Sequence, residues 1–368
     1  MNISILGVTG SIGRQTIKVA EALGFRVKAI AAGSDSAALR EISMDLQPDL
    51  TVSYEKHGMD GLLECASMPG VQIVVNAIVG SVGLRPTMAA IAAGKDVALA
   101  NKETLVAAGP IVMESARKNG VSIRPIDSEH SAIWQCLGQP VRTSDRLDNR
   151  LKRLILTASG GAFREWDKDS IAKAKAADAL KHPNWNMGPK ITIDCATMMN
   201  KGLEYIEAHW LFDVPYEKID ILIHPQSIIH SMVEFGDGAV LAQMAAPDMG
   251  QPIQYALCAP DRPPREHERL EFTRALTFDE PDFDRFPCLA LAMEAAHIGG
   301  SMPAMMNAAN EILVQSYLSD NIGFYDISRL IEEAMGTYTV RPVESIADVE
   351  ESEAWAKEFC ERKILCQF

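Results

Sequence analysis

Asp127 and Glu129, in the run Asp127-Ser128-Glu129-His130, place two carboxylates two positions apart. Hard oxygen ligands at this spacing suit Mg2+ or Mn2+, and a D-x-E run also serves as a solvated loop or a helix cap. Glu204 is a candidate third ligand, because Asn200, Lys201 and Glu204 fall on one face of a helical turn. Asp194, Glu207, His130, His209, His224 and His230 compete for the same role, and spacing alone does not separate them.

A second group of residues suits phosphate. Gly7-Val8-Thr9-Gly10-Ser11-Ile12-Gly13 follows an apolar run and opens a helical pattern. Gly7 permits a tight turn, Gly10 a close approach by a pyrophosphate, and Gly13 close packing of helix on strand. The plainer reading is a structural turn. At the end of the second apolar run stand Gly33-Ser34-Asp35, where the adenosine ribose of a dinucleotide lies. An acid there accepts from a ribose 2′-hydroxyl and repels a 2′-phosphate, which favours NAD, while Arg14 and Arg40 counter it for NADP. Asp35 as cap of a helix starting near Ser36 is a third reading. Ser159-Gly160-Gly161 and Asn200-Lys201 supply hydroxyl, amide and ammonium donors for a phosphate, or a glycine turn plus a helix cap. The loop His182-Pro183-Asn184-Trp185-Asn186-Met187-Gly188 carries an indole and an imidazole with no evident core to enter, and it reads as a lid.

These loops need a scaffold. Short β-rich runs at 3–6, 25–31, 72–79, 96–100 and 121–126 alternate with helical patterns, which predicts βαβ units and a parallel sheet. The loops 7–13, 80–83, 101–103 and 127–130 follow such runs directly, so they should share the rim at the strand carboxyl ends. Further strands are expected at 154–157, 190–194, 219–223, 231–235 and 239–244, with Gly236-Asp237-Gly238 as a hairpin turn. Proline and charge dominate 259–286, and 288–368 has helical spacing rich in alanine, methionine and glutamate. The fold class is α/β: a Rossmann-like domain (1–126), a central α/β catalytic domain with a flexible flap (127–258), a linker (259–287) and a helical domain (288–368).

With 368 residues the chain is long enough for two or three domains. Its net charge of −14 gives no footprint for nucleic acid, so an anionic substrate needs a local positive site. Seven scattered cysteines without a C-x-x-C pair indicate neither a disulfide framework nor a zinc knuckle, and point to a reducing compartment. The first strand starts at Asn2, leaving no room for a signal or transit peptide, and no run of about 18 apolar residues suggests a membrane span. A soluble cytoplasmic protein is expected.

Seven ordered blocks resemble the 1-deoxy-D-xylulose 5-phosphate reductoisomerases. They are the glycine loop 7–13, Ala100-Asn101-Lys102-Glu103, Asp127-Ser128-Glu129-His130, Ser159-Gly160-Gly161, His182-Pro183-Asn184-Trp185, Met198-Met199-Asn200-Lys201-Gly202-Leu203-Glu204 and Ile223-His224-Pro225-Gln226-Ser227. The resemblance implies NADPH-dependent conversion of 1-deoxy-D-xylulose 5-phosphate to 2-C-methyl-D-erythritol 4-phosphate, by metal-assisted skeletal rearrangement and hydride reduction, in a homodimer. It implies Asp127, Glu129 and Glu204 as ligands of Mg2+ or Mn2+, with Lys102 beside the reacting groups. Ser128, Glu129, Ser159, His182, Trp185, Cys195, Asn200, Lys201 and Glu204 match substrate-binding positions. Gly7, Thr9, Gly10, Ser11, Ile12, Gly13, Gly33, Ser34, Asp35, Asn101, Lys102, Glu103 and Gly188 match cofactor-binding positions. Trp185 and Met187 belong to the flap, and Ser227, Pro247 and Met249 line the site. Two positions depart from the family pattern: Cys195 stands in place of a serine that contacts substrate phosphate, and Asp35 in place of an asparagine. The rival readings are a metal-free sugar or homoserine-type dehydrogenase and a non-enzymatic nucleotide-sensing module.

Overall fold

The computed structural model describes residues 1–138, 151–185, 187–273 and 275–365, and these form two compact units. The first takes residues 1–104, the described part of 111–147, and 248–267. The second takes 105–110, the described part of 148–247, and the described part of 268–368.

The alternating apolar runs of the first unit become six parallel strands. They are β1 (Asn2–Leu6), β2 (Arg26–Ala32), β3 (Leu50–Ser53), β4 (Ile73–Asn76), β5 (Asp96–Leu99) and β6 (Ile123–Pro125), in the order β3-β2-β1-β4-β5-β6. The connecting helices are α1 (Ser11–Ala22), α2 (Ala37–Leu46), α3 (Tyr54–Ser67), α4 (Leu84–Ala92) and α5 (Lys102–Asn119), with α6 (Ser128–Leu137) following β6. Strand order reverses between β1 and β4, and in such sheets the crevice outside the strand carboxyl ends at that point receives ligands. The central strands are buried on both faces, so in β1 Ile3, Ser4, Ile5 and Leu6 are all buried, without alternation. β3, only four residues long, escapes the sequence reading because a run of Leu-Thr-Val-Ser is too short to show a period.

The second unit holds β7 (Leu151–Ala158), the short helices α7 (Lys168–Ala172) and α8 (Ala176–Ala179), then α9 (Pro189–Ala196) and α10 (Met199–Phe212). β8 (Ile219–Ile223), β9 (Ile229–Phe235) and β10 (Val240–Met244) complete a mixed sheet of order β10-β9-β7-β8. The Gly236-Asp237-Gly238 turn joins β9 to β10 as expected, with the Ala239 N–H donating to Asp237 Oδ1. The strand expected at 190–194 is instead helix α9. Its β-branched run Ile191-Thr192-Ile193 imitates a strand, but Pro189 sits at the helix start and Thr192, Ile193 and Ala196 are buried at helical spacing.

Helix α11 (Gly250–Cys258) belongs to the first unit, where Ile253, Ala256 and Leu257 join the core formed by Ile3, Ile5, Val27 and Ile30. The helices α12 (Pro287–Ile298), α13 (Met302–Leu318), α14 (Phe324–Thr337) and α15 (Ile346–Leu365) close the second unit. Between α11 and α12 the described residues make one regular pairing, an antiparallel bridge of Asp279 with Ile223 at the end of β8.

The glycine loop is tightly folded. The Gly7 and Val8 N–H groups both donate to the Ala31 carbonyl, at 2.8 and 2.9 Å, and Gly7 has φ +84°. A Cβ on Gly13 would collide with the Gly7 carbonyl oxygen and lie 2.6 Å from Val8 Cα. Gly13→Ala should therefore destabilise the first unit by about 1–3 kcal/mol, the scale of overpacking. Urea unfolding checks this, and an unchanged midpoint would contradict the close packing of α1 on the loop.

Candidate active site

The first unit gathers three groups of functional side chains at its strand carboxyl ends. Gly10 precedes α1 in extended conformation and caps it with no side-chain hydrogen bond, while Val8 and Gly13 pack inward and Thr9 and Ser11 face outward. The cradle is thus backbone, with glycine where a Cβ would fill it, and the α1 amino end favours an anion there. These features fit the pyrophosphate of a dinucleotide.

Beyond β2, Asp35 does not cap a helix. Ser36 does so, accepting from the Leu39 N–H at 3.2 Å. The Asp35 carboxylate pairs with Lys56 and, at 3.1 Å, with Arg40. The hydrogen bond from Lys56 holds its carboxyl below the usual carboxylate range. Gly33 and Glu55 fix the loop, since Gly33 O accepts from the Glu55 N–H and Glu55 Oε2 accepts from the Asp35 N–H at 3.2 Å.

After β5, Asn101 caps α5 and ties two loops together. Its Oδ1 accepts from the Thr104 N–H, and its amide nitrogen lies within 2.9 Å of the Ile78 and Gly80 carbonyls and of Glu103. Its side chain is therefore committed within the protein, and Lys102 beside it pairs with Asp127 after β6. Asp127 caps α6 through the Glu129 and His130 N–H groups at 3.1 and 3.4 Å, and the fully buried His130 has Nδ1 3.2 Å from Asp127 Oδ1. Ser128 donates to Glu129 Oε2 at 2.5 Å. The capping role considered for this run is thus real, and it orients a carboxylate at the rim.

In the second unit the corresponding chemistry lies on α10 and the loops beside it. Glu204 is buried, pairs with Lys201, and accepts from the Asn200 amide at 2.5 Å. The expected helical face is therefore formed, with both donors turned onto the carboxylate. Asn200 Oδ1 is buried without a hydrogen-bond partner among the described residues, an acceptor suited to a ligand hydroxyl. Cys195 is the last residue but one of α9, and Gly161, at φ +70°, presses so close that a Cβ would strike the Cys195 carbonyl. The buried Asp194 pairs with Lys190 at 3.1 Å and accepts from Asn310 at 2.8 Å, which engages it away from ligand duty.

Ser159, after β7, lies 3.0 Å from His182 Nε2 and accepts from the Gly161 N–H at 3.2 Å. The Asn184 and Trp185 N–H groups both donate to His182 Nδ1, which assigns the imidazole proton to Nε2 and makes Ser159 Oγ its acceptor. The Ser159 hydroxyl then keeps its own proton for a ligand. The loop expected to act as a flap is held by Asn184, whose amide donates to the Pro225 carbonyl at 2.7 Å and to Ser227 Oγ at 2.8 Å. Trp185 stands 6.1 Å from the His230 ring. Met187 is half-buried and Gly188 precedes α9. Of the other competitors, His209 bonds the Val214 carbonyl, His224 is buried with Nδ1 on the Thr277 carbonyl, and Glu207 is buried in α10. Lys56 and Asn184 make contacts here to which the sequence assigns no role. Lys56 stands far from Asp35 in sequence, and no periodicity links them.

Burial pushes the His182 imidazole down to about 4, with the Arg164 charge adding to the effect. Its folded pKa lies below the unfolded value of about 6.5, so stability from this group is present above about pH 6.5 and declines as pH falls toward 4. NMR of nitrogen-labelled histidine should find His182 neutral at pH 6 with its proton on Nε2. A midpoint near 6.5, or a proton on Nδ1, would contradict the assigned hydrogen bonds.

Comparison with known proteins agrees across the chain. A family model described as 1-deoxy-D-xylulose 5-phosphate reductoisomerase matches residues 3–59 and 52–109. The model of that enzyme's C-terminal domain matches 123–212, and a DXP reductoisomerase C-terminal domain matches 244–359. A 1-deoxy-D-xylulose 5-phosphate reductoisomerase of Heliobacterium modesticaldum is 50% identical, covering 98% of this chain and 97% of the relative. One from Bacillus cereus strain Q1 is 48% identical over 99% of this chain and all of its own length. Among solved structures, a DOX-P reductoisomerase in complex with NADPH, fosmidomycin and magnesium aligns with a TM-score of 0.92 at 37% identity, covering 99% and 98% of the two chains. The Zymomonas mobilis enzyme in complex with NADPH aligns at 0.88 with 39% identity, again over 99% and 98%.

Proposed function

The chain belongs to the 1-deoxy-D-xylulose 5-phosphate reductoisomerase family, and on that premise we propose that it converts 1-deoxy-D-xylulose 5-phosphate to 2-C-methyl-D-erythritol 4-phosphate with NADPH and a divalent cation. The observation that carries this reading lies in the first unit: the glycine cradle after β1 and the Asp127-Glu129 carboxylates after β6 share the strand carboxyl ends of one parallel sheet. A plain dehydrogenase needs only the cradle.

Asp127, Glu129 and Glu204 are the proposed ligand set, and their all-oxygen chemistry fits Mg2+ or Mn2+. When bound, the cation stabilises negative charge on substrate oxygens during the skeletal rearrangement, and NADPH supplies the hydride for the reduction. The chain's own groups hold and orient. Lys102 sets an ammonium beside Asp127. Ser128 and Asn200 offer polar atoms to substrate hydroxyls, and Ser159, with its proton directed outward by His182, serves the phosphate with Lys201. Trp185 covers the substrate and excludes water when the flap closes. Cys195, a weaker donor than the family's serine, adds less to phosphate binding.

We propose the division drawn from the sequence, 1–126, 127–258, 259–287 and 288–368, as a division of roles; the two compact units are cut differently, since 105–110 counts with the second and 127–138 and 248–267 count with the first. We read the enzyme as a cytoplasmic homodimer. The family resemblance supports the dimer. Seven scattered cysteines without a C-x-x-C pair support a reducing compartment, and no helix among the described residues is long and apolar enough to cross a membrane.

Oxidation of NADPH in the presence of 1-deoxy-D-xylulose 5-phosphate tests the reading, and it should require Mg2+ or Mn2+ and stop with chelator. Glu204→Gln keeps the shape of the side chain and should lower kcat by about a hundredfold or more, the scale of losing an electrostatic catalyst. Near-normal turnover of this variant would remove Glu204 from the site.

A further inference from the structure

Asp35 poses a conflict, because a carboxylate at the end of β2 should repel the 2′-phosphate that distinguishes NADPH from NADH. The contacts around it resolve this. Lys56, at the start of α3, and Arg40, in the first turn of α2, both pair with the Asp35 carboxylate, and Arg40 also donates to the Asp35 carbonyl at 3.1 Å. Two cations therefore converge where the adenosine ribose of a dinucleotide lies in a sheet of this strand order.

Both cationic side chains are 59% exposed, and an exposed ion pair is worth about 0–1 kcal/mol, so these contacts open at small cost. A phosphate monoester carries nearly two charges and three acceptor oxygens, and it outcompetes a single carboxylate for a guanidinium and an ammonium. Arg40 and Lys56 balance Asp35 and Glu55 in formal charge, the latter accepting the Asp35 N–H. The loop is thus near neutral, neither a strong phosphate trap nor a phosphate barrier.

We infer that Asp35, Arg40 and Lys56 form an exchangeable clamp: the carboxylate holds both cations until a 2′-phosphate takes its place, and with a 2′-hydroxyl it remains paired and accepts from the ribose. Asp35 is a competitor built into the chain. It narrows the preference for NADPH and admits NADH as a second hydride donor. The inference rests on the cofactor reading given above and concerns which of this chain's residues set its selectivity.

Fluorescence titration of NADPH and NADH against the parent chain, Asp35→Asn and the double variant Arg40→Ala, Lys56→Ala tests it without turnover. The ratio of NADPH to NADH affinity should rise about tenfold in Asp35→Asn and fall about tenfold or more in the double variant, a step of about 1.4 kcal/mol per decade. In competition, 2′,5′-ADP should beat 5′-AMP on the parent and lose that advantage on the double variant. If the parent binds both dinucleotides but neither variant moves the ratio, or Asp35→Asn lowers it, the clamp is refuted while the cofactor reading stands. If the parent binds neither dinucleotide, the cofactor reading falls and the clamp with it.

Discussion

A carboxylate taken out of water must be matched by a cation or by hydrogen bonds, and that requirement organises both units. Asp127 is matched by Lys102 and by the amino end of the helix it caps. Glu204, nearly fully buried, is matched by Lys201 and the Asn200 amide within one turn of α10. Asp194 is matched by Lys190 and Asn310. The first two sets stand beside loops that family membership associates with chemistry, whereas the third joins α9 to α13 in the core of the second unit. The same residue type is thus compensated at the proposed site and in the structural core by different elements.

Much of this was legible in the sequence, because the decisive features were local. The glycine loop, the Asp-Ser-Glu run and the Asn-Lys-x-x-Glu turn each lie within a few residues, and strand carboxyl ends fall on one rim in any parallel βαβ sheet. The alternation of the first 126 residues therefore indicated the correct architecture there. Features set by distant residues were not legible. Helix α9 reads as a strand until Pro189 and the burial of Ile193 and Ala196 are weighed. α11 reads as part of the catalytic segment, yet its apolar face completes the core beneath β1 and β2. The pairing of Asp35 with Lys56 joins the loop after β2 to the start of α3, which are adjacent only because β2 and β3 are neighbours.

The two departures from the family pattern have different consequences. Asp35 lies among compensating cations on an exposed loop, so its effect falls on cofactor selectivity. Cys195 lies near the end of α9 against Gly161, where backbone packing leaves the turn little freedom, so its proposed effect is on the strength of one contact to substrate. Neither disturbs the carboxylates or the lysines paired with them.

The central proposal is that Asp127, Glu129 and Glu204 hold one divalent cation. Calorimetric titration of the parent chain, Glu129→Gln and Glu204→Gln with Mn2+ tests it most directly. The account predicts a single ion per chain in the parent and affinity about tenfold or more weaker in each variant, the scale of removing one charged ligand. Parent-like Mn2+ affinity in both variants would contradict it.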